Sequence, residues 1–314
     1  MSGYIASRLV QLVVSLFGLS FLVFALLSLV PGDAAVFISG EQMSVEEVSR
    51  IRVELGLDDP LVVRYGRWLS EILQGDLGRS LFTKEPITQT LRTRMPVSFE
   101  LGLFALALAV AISFPLGLIS ALARNSWEDH ASRFLGIVGL AVPNFWLGTM
   151  AMVFGARWLD WIPPVGYIPL SQDPLRNLQQ FLVPAIVLGT GLAASLMRML
   201  RSSLLEVLRQ DYVRTAHAKG LDSGTIVRRH ILKNGLIPVV TVLGIQSATL
   251  VGGTVVTESI FNLPGMGRLI VEAINRRDYP IVQAVVLAFG SFILLINLLT
   301  DLSYAWLDPR ISYK

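Results

Sequence analysis

The chain has 314 residues, of which 53% are hydrophobic and 16% are charged, whereas a soluble domain usually carries about 25% charged residues. Its mean hydropathy of +0.60 argues against a water-soluble enzyme and against a disordered protein. The net charge is only +3, and the absence of cysteine excludes disulfides and thiolate metal sites.

Apolar runs long enough to cross a bilayer recur along the chain. The first run, Leu9 to Val30, exceeds the roughly 7 to 15 apolar residues of a secretory signal, so we interpret it as a retained first helix. Further candidate spans are Phe99 to Ala123, Phe134 to Gly155, Phe181 to Leu196, Ile237 to Thr257 and Ile281 to Leu302. The predicted fold class is an all-α polytopic membrane protein with six transmembrane helices, which places both termini on one side.

The Lys and Arg residues of the short connections predict the orientation, because such residues are enriched in cytoplasmic loops. One side carries 13 of them, including eight between Met197 and Leu236, whereas the other side carries five outside the long segment after the first helix. Both termini are therefore expected in the cytoplasm.

Residues 31–98 are expected to form a small extracytoplasmic domain inserted between the first two helices. Ser44 and Glu47 form a capping-box pattern, and an apolar stripe at helical spacing runs from Leu61 to Leu73. Because so short a segment is marginally stable alone, we expect it to pack on the membrane helices or on a partner. The other divisions are residues 1–30, the N-terminus with the first helix, and residues 99–314, a five-helix core with a cytoplasmic loop at 202–238.

The sequence lacks the residues that several classes of enzyme require. The three histidines, His130, His217 and His230, fall in predicted connections, and neither an H-E-x-x-H motif nor a G-x-x-x-x-G-K-[ST] phosphate loop occurs. These absences argue against a metalloprotease, a Ser/His protease within the membrane and ATP hydrolysis by a phosphate loop. We predict no catalytic residue and no metal site.

The predicted spans contain no ionisable residue except Glu100 and Asp301 at helix ends. This weakens the hypothesis of an ion-coupled carrier, which usually places such groups within the bilayer. The polar residues at depth are Gln11, Asn144, Gln246, Gln283 and Asn297. Asn144 follows Pro143, which should kink its helix, and it either satisfies that kink or lines a pore.

The loop at 202–238 has the pattern of a helix, a glycine turn and a second helix. The first helix is predicted to end at Gly220, and Asp222 or Ser223 is predicted to cap the second. The first apolar face contains Leu204, Leu205, Leu208, Tyr212, Ala216 and the stem of Lys219, and the second contains Ile226, Val227, Ile231 and Leu232. The positive charge of this loop is explained by topology, but two apolar faces require packing on the membrane surface, the rest of the chain or a partner.

Several motifs in this chain resemble those of ABC importer permeases of the dipeptide, oligopeptide and nickel class. The stretch YVRTAHAKG at Tyr212 to Gly220 is similar to the family's E-A-A loop: Ala216 and Gly220 match, whereas Arg214 and Thr215 replace the first two letters. Other similar stretches are RRHILKN, LIPVVT, VPGD at Val30, LGLDDPLVVRYGRWL at Leu55, GDLGRS at Gly75, VPNFWLG at Val142, IFNLPGMGRL at Ile260, RDYPIVQ at Arg277 and LDPRI at Leu307. These stretches occur in the family's order along the whole chain.

The resemblance implies a type I importer permease fold in a bacterial inner membrane and a function as half of a pore for short peptides. It implies a second homologous permease, two cytoplasmic ABC ATPases that bind ATP and Mg²⁺, an extracytoplasmic binding protein, contact with membrane lipid, no nucleic acid and no cofactor bound by this chain. The ATPase-coupling residues it implies are Arg214, Thr215, Ala216, Ala218, Gly220 and Leu221. Nickel, glutathione, opines and oligosaccharides are alternative solutes, and an ion-coupled carrier or a membrane anchor without transport are alternative functions.

The connection between the last two spans, Glu258 to Pro280, mixes apolar residues with Gly and Pro. It is expected to dip back toward the pore, where irregular backbone is tolerated if protein surrounds it. We expect either an outer gate, with Glu258 at its rim and Phe261 as a further gate residue, or a structural lid.

Overall fold

The computed structural model describes residues 2–29, 58–164 and 166–307. These ranges are helical without a strand, which confirms the all-α class, and only an isolated bridge joins Arg79 to Pro86 within them. The helices are α1 Ser2–Ser28, α2 Leu61–Leu73, α3 Ile87–Leu122, α4 Trp127–Ala141, α5 Asn144–Trp158, α6 Pro174–Val207, α7 Asp211–Ala218, α8 Ser223–Ile226, a π turn Val227–Ile231, α9 Leu232–Gly235, α10 Ile237–Ile260, α11 Met266–Asn275 and α12 Tyr279–Leu307.

Five of these helices, α1, α3, α6, α10 and α12, are long and apolar enough to cross a membrane. The pair α4 and α5 qualifies as a sixth span, but it is bent by 95°. Pro143 explains the bend, because the residue before a proline is driven out of the helical region, and Val142 is extended with ψ 120°. The expected kink is thus confirmed, although the helix is broken into two pieces.

The bent pair connects opposite ends of the helix bundle. At the loop end, which carries residues 208–236, Asp129 at the start of α4 accepts hydrogen bonds from Ser120 of α3 and Arg201 of α6. At the opposite end, here called the cap end because it carries α11, the chain that follows α5 places Tyr167 against Glu100 in the first half of α3. Since α3 begins at the cap end and finishes at the loop end, α4 and α5 together cross the bundle.

Two spans extend beyond the apolar runs that predicted them. Helix α3 begins at Ile87 instead of Phe99, because Ile87 and Leu91 are buried against residues of α11 and α12. Helix α6 covers Pro174–Val207 instead of Phe181 to Leu196, and its final turns are buried among loop residues. Protein packing, in addition to lipid, therefore stabilises these helix ends.

Residues 58–98 are the described part of the predicted inserted domain, and their first helix, α2, packs on α1. Tyr65 and Ser20 share a hydrogen bond of 2.8 Å, and the rings of Trp68 and Phe24 lie 5.3 Å apart. This agrees with the expected contact with a membrane helix. The capping pattern at Ser44 lies outside the described residues.

The centre of the bundle is the close contact of α3 with α6. A Cβ atom at Gly189 would lie 2.7 Å from the carbonyl oxygen of Ala105, so only glycine permits the two backbones to approach this closely. The side chains buried in this core include Leu101, Ala105, Phe181, Leu188 and Leu196.

A polar network at the cap end fixes the connection between α5 and α6. Glu100 accepts hydrogen bonds from the Tyr167 hydroxyl at 2.9 Å and from the Asn177 amide at 2.8 Å. Gln180, which is fully buried, donates to the carbonyl oxygen of Pro164 at 3.0 Å. Burial, with the nearby Glu100 carboxylate as a second cause, raises the pKa of Tyr167 to about 12.

The Tyr167 contact predicts a specific alkaline sensitivity. Because the folded-state pKa of Tyr167 is raised, its contribution to stability is complete below the ordinary tyrosine pKa of about 10 and is lost as pH rises toward about 12. Tyr167→Phe should therefore lower the melting temperature by a few degrees at pH 8, and the difference from wild type should shrink above pH 10. Melting curves of both purified proteins in detergent test this, and a difference independent of pH would contradict it.

Candidate functional site

The loop between α6 and α10 is a compact helical unit attached to the spans. Helix α6 ends at Val207 and α7 begins at Asp211, so the predicted continuous helix through Lys219 is wrong. Gln210 separates the two helices with an extended ψ of 144°. The expected stop at Gly220 is confirmed by its φ of +76°, and Asp222 is the residue that caps α8, with its carboxylate accepting from the Thr225 amide at 2.8 Å.

One face of this loop unit packs against the rest of the chain. Val213, Ala216, Ile226 and Ile231 are buried together with Ala121 of α3 and with Leu200, Leu204 and Val207 of α6. The sequence allowed the two apolar faces to pack on the membrane surface, on the rest of the chain or on a partner. In the structure they contact the protein's own spans.

The break after α6 changes which residues point inward. Val213 is buried, whereas Tyr212 and Lys219, which were predicted on the apolar face, are exposed. Ala216 is only 5% exposed, so it serves the internal face and is not available at the outer surface. The new helix start at Asp211 resets the register, and continuous periodicity cannot predict this.

The opposite face of the loop unit is exposed and carries five of the six predicted coupling residues: Arg214, Thr215, Ala218, Gly220 and Leu221. No atom lies within 4 Å of a Cβ built at Gly220, so this turn faces open space. Leu221 is an exposed apolar side chain. Hydrogen bonds from the Thr225 hydroxyl and amide hold the pKa of the Asp222 carboxyl below its usual value, so the cap stays ionised.

A polar contact ties the loop unit to α6, and a neighbouring ion pair ties α6 to α3 and α4. Ser203 of α6 donates to the carbonyl oxygen of Gly235 at 2.8 Å. Nearby, the guanidinium of Arg201 makes two hydrogen bonds to Asp129, at 2.8 and 2.9 Å, and Ser120 donates to the same carboxylate. These contacts connect the loop unit through α6 to α3 and α4.

Asn144 lies beside a cavity of about 350 Å³ at the break between α4 and α5. Gln246 and Thr249 of α10 provide further polar side chains in its wall, and Gly191 of α6 lies opposite Asn144. Since Gln246 and Thr249 are near the middle of α10, the cavity lies at the level where the spans cross the membrane interior.

Glu258 and Phe261 do not occupy an exposed gate. Glu258 is 0% exposed, and its carboxylate accepts hydrogen bonds from the Ser98 hydroxyl at 2.6 Å and the Arg268 amide at 3.0 Å. Phe261 is 1% exposed and belongs to the core of α3 and α6. The expectation that Glu258 lies at a rim is therefore wrong, because this carboxylate satisfies amides at the start of α11 that have no partner within their own helix.

Sequence reasoning missed three residues at the cap end. Ser98 both donates to Glu258 and accepts from the Met266 amide at 2.8 Å, which joins α3 to α11. Asp278 is buried and accepts from the Ser80 hydroxyl at 2.5 Å and the Leu81 amide at 3.2 Å. The signal for the last pair was present, since Ser80 and Asp278 belong to two of the quoted motifs.

Comparisons with known proteins agree with this architecture. Residues 113–313 match the family described as binding-protein-dependent transport system inner membrane component, and residues 1–102 match the family of its N-terminal part. A putative peptide transport system permease protein of Brucella abortus is 41% identical over the full length of both chains. The dipeptide transport system permease protein DppB of Alkalihalophilus pseudofirmus and the glutathione transport system permease protein GsiC of Pectobacterium atrosepticum are each 40% identical, again over the whole of both chains.

A solved structure shares the fold. The inward-facing MetNI methionine ABC transporter contains a chain that superposes with a TM-score of 0.58 at 18% identity, covering 71% of this chain and 99% of that one. At 18% identity, this likeness shows that the two chains share the arrangement of their helices.

Proposed function

The chain belongs to the family of binding-protein-dependent transport system inner membrane components, as a permease of the ABC importer type, and from this premise we propose that it forms half of a pore that imports short peptides. The relatives named for peptide, dipeptide and glutathione transport support this choice of solute. Nickel complexes, opines and oligosaccharides are the alternatives of the same class.

The observation that carries the proposal is the two-sided loop unit. Its inner face is packed on α3 and α6, whereas its outer face is exposed around Gly220. A surface that is anchored internally and open externally is suited to receive a partner that moves it. Membership of this family implies ATPase partners, and we assign the supply of energy to two cytoplasmic ABC ATPases, which bind ATP and Mg²⁺, one for each permease.

The pore requires a second homologous permease. Helix α10 presents an uncovered face that includes Ile245, Thr249, Gly252 and Val256, and the cavity beside Asn144 opens on this side. A second permease packed here would complete a passage between the two chains. An extracytoplasmic binding protein would deliver the solute at the cap end.

The orientation follows from charge. The loop end carries the cluster of basic residues, so it is assigned to the cytoplasm of a bacterium together with both termini. The cap end, with α2 and α11, then faces outward from the inner membrane.

Reconstitution of the purified complex tests the proposal. Vesicles are prepared with this chain, the second permease and both ATPases, so that the ATPases face the vesicle interior. They should accumulate radiolabelled dialanine only when ATP is inside the vesicles and binding protein is outside. A variant ATPase that cannot hydrolyse ATP is the control. Uptake by this chain alone would favour an ion-coupled carrier, and a complex that transports only non-peptide solutes would reject the peptide assignment.

A further inference from the structure

The cavity beside Asn144 suggests how a peptide is handled inside the membrane. We propose that Asn144, Gln246 and Thr249 form a transient binding site that hydrogen-bonds the backbone amide of the solute on its way through the pore. This inference rests on the proposed function and adds a solute site that lies within the permease itself.

The size of the cavity fits a small solute. Its volume of about 350 Å³ lies at the lower end of the range for small-molecule pockets, roughly 300 to 1,000 Å³. Its wall is formed by α10, by α6 and by the residues around the break at Pro143, so the bend between α4 and α5 creates the space.

The Asn144 side chain is the first group available to a solute. Within the described parts of the chain, its amide makes no hydrogen bond, and its Oδ1 atom faces the gap beside Gly191. An asparagine amide provides donors and acceptors together. It can therefore pair with either the carbonyl oxygen or the N–H of a peptide bond.

Gln246 and Thr249 are held in place by neighbours. The Gln246 Nε2 atom donates to the Ser195 hydroxyl at 3.0 Å, and the Thr249 hydroxyl donates to the backbone carbonyl oxygen of Gln246 at 2.7 Å and lies 3.4 Å from the Gln246 side-chain oxygen. A carbonyl oxygen and a hydroxyl oxygen each have two lone pairs, so the Gln246 side-chain oxygen and the Thr249 oxygen retain acceptor capacity. A peptide amide, with one donor and one acceptor, matches Asn144 on one side and these oxygens on the other.

The residues that line the cavity carry no charge. An ionised group there would lose water without gaining a counter-charge, which is strongly unfavourable. The site therefore suits the neutral peptide bond of a dipeptide, whose ionised ends have to lie toward the open side of the cavity and away from its uncharged wall. Thr249 is exposed on the open side, so the second permease would close the site around the solute.

The test compares solutes that differ by one amide hydrogen. In the reconstituted four-subunit complex with saturating binding protein, maximal uptake is measured for dialanine and for alanyl-N-methylalanine, which lacks the amide N–H. Thr249→Val removes an acceptor for the amide N–H, so it should lower maximal uptake of dialanine about tenfold, the factor for one lost hydrogen bond, and lower uptake of the N-methyl compound much less. Asn144→Leu removes the donor to the solute carbonyl oxygen, which both compounds retain, so it should lower the uptake of both. The solute dependence of Thr249→Val tests the site even if Asn144→Leu assembles poorly.

Asn297→Leu is the matched control, because Asn297 is an exposed asparagine of the span α12 that lies outside the cavity wall. It should leave both uptake rates unchanged. Normal dialanine uptake in Thr249→Val and Asn144→Leu, or an equal loss for both solutes in Thr249→Val, would overturn the amide site while leaving the importer intact. If the wild-type complex transports neither solute, the proposed peptide importer fails and the amide site with it.

Discussion

Gly220→Asp is expected to abolish ATP-driven uptake while the permease remains inserted and paired with its second permease. Gly220 has a φ of +76°, which costs an aspartate only about 1 kcal/mol, and a side chain there meets no atom within 4 Å. The fold should therefore persist. The added carboxylate projects from the exposed loop face, where a docked ATPase would need close contact with the backbone.

The measurement is uptake by reconstituted vesicles together with the amount of ATPase retained on purified permease. Gly75→Asp is a matched control, because Gly75 has a φ of +85° and equally open space but lies at the cap end. This control should retain both ATPases. Normal uptake by a fully expressed Gly220→Asp permease would remove the basis for assigning this loop to energy coupling.

Glu258→Ala is expected to produce the largest loss of stability. The substitution removes a buried carboxylate that accepts from Ser98 and from the Arg268 amide, and it leaves the start of α11 without acceptors. A buried polar group left without its partner costs about 1 to 3 kcal/mol, and two groups lose their acceptor here, so the free energy of unfolding should fall by about 3 kcal/mol or more. The melting temperature of the purified protein should fall by roughly 5 to 10 °C.

Glu272→Ala supplies the comparison within the same connection. Glu272 forms an i, i+4 ion pair with Arg268 at 2.7 Å, and both side chains are more than a third exposed, so its loss should cost less than about 1 kcal/mol. Equal melting temperatures for the Glu258 and Glu272 variants would show that the buried carboxylate does not hold α11.

The sequence predicted those features whose signals are local. Length and hydropathy identified the spans, Pro143 predicted the break before Asn144, and Gly220 with Asp222 predicted the turn of the loop unit. At Pro143 and at Gly220 a single residue type imposes a backbone conformation, and neighbouring residues are sufficient to interpret it. The family motifs then predicted the function, because they occur along the full chain in one order.

The errors arose where distant residues decide the structure. Glu258 reads as an exposed acid at a helix end, but its partner Ser98 lies 160 positions earlier in the chain. The apolar spacing of Met266, Leu269, Ile270 and Ala273 indicates helix α11, yet its glycine-rich start conceals the boundary. Tyr212 and Lys219 were predicted on the apolar face but are exposed, because the extended backbone at Gln210 that resets the register has no strong sequence signal.

In the two-sided loop unit, the residues that stabilise the fold differ from those that are exposed to a partner subunit. Val213 and Ala216 pack against the permease's own spans, whereas Arg214, Thr215 and Ala218 are exposed on the opposite face. A chimaera that exchanges only these exposed residues for those of a related transporter should therefore keep its own fold and bind the ATPases of that transporter. Related transporters can in this way change which ATPase they bind without a change in their transmembrane helices.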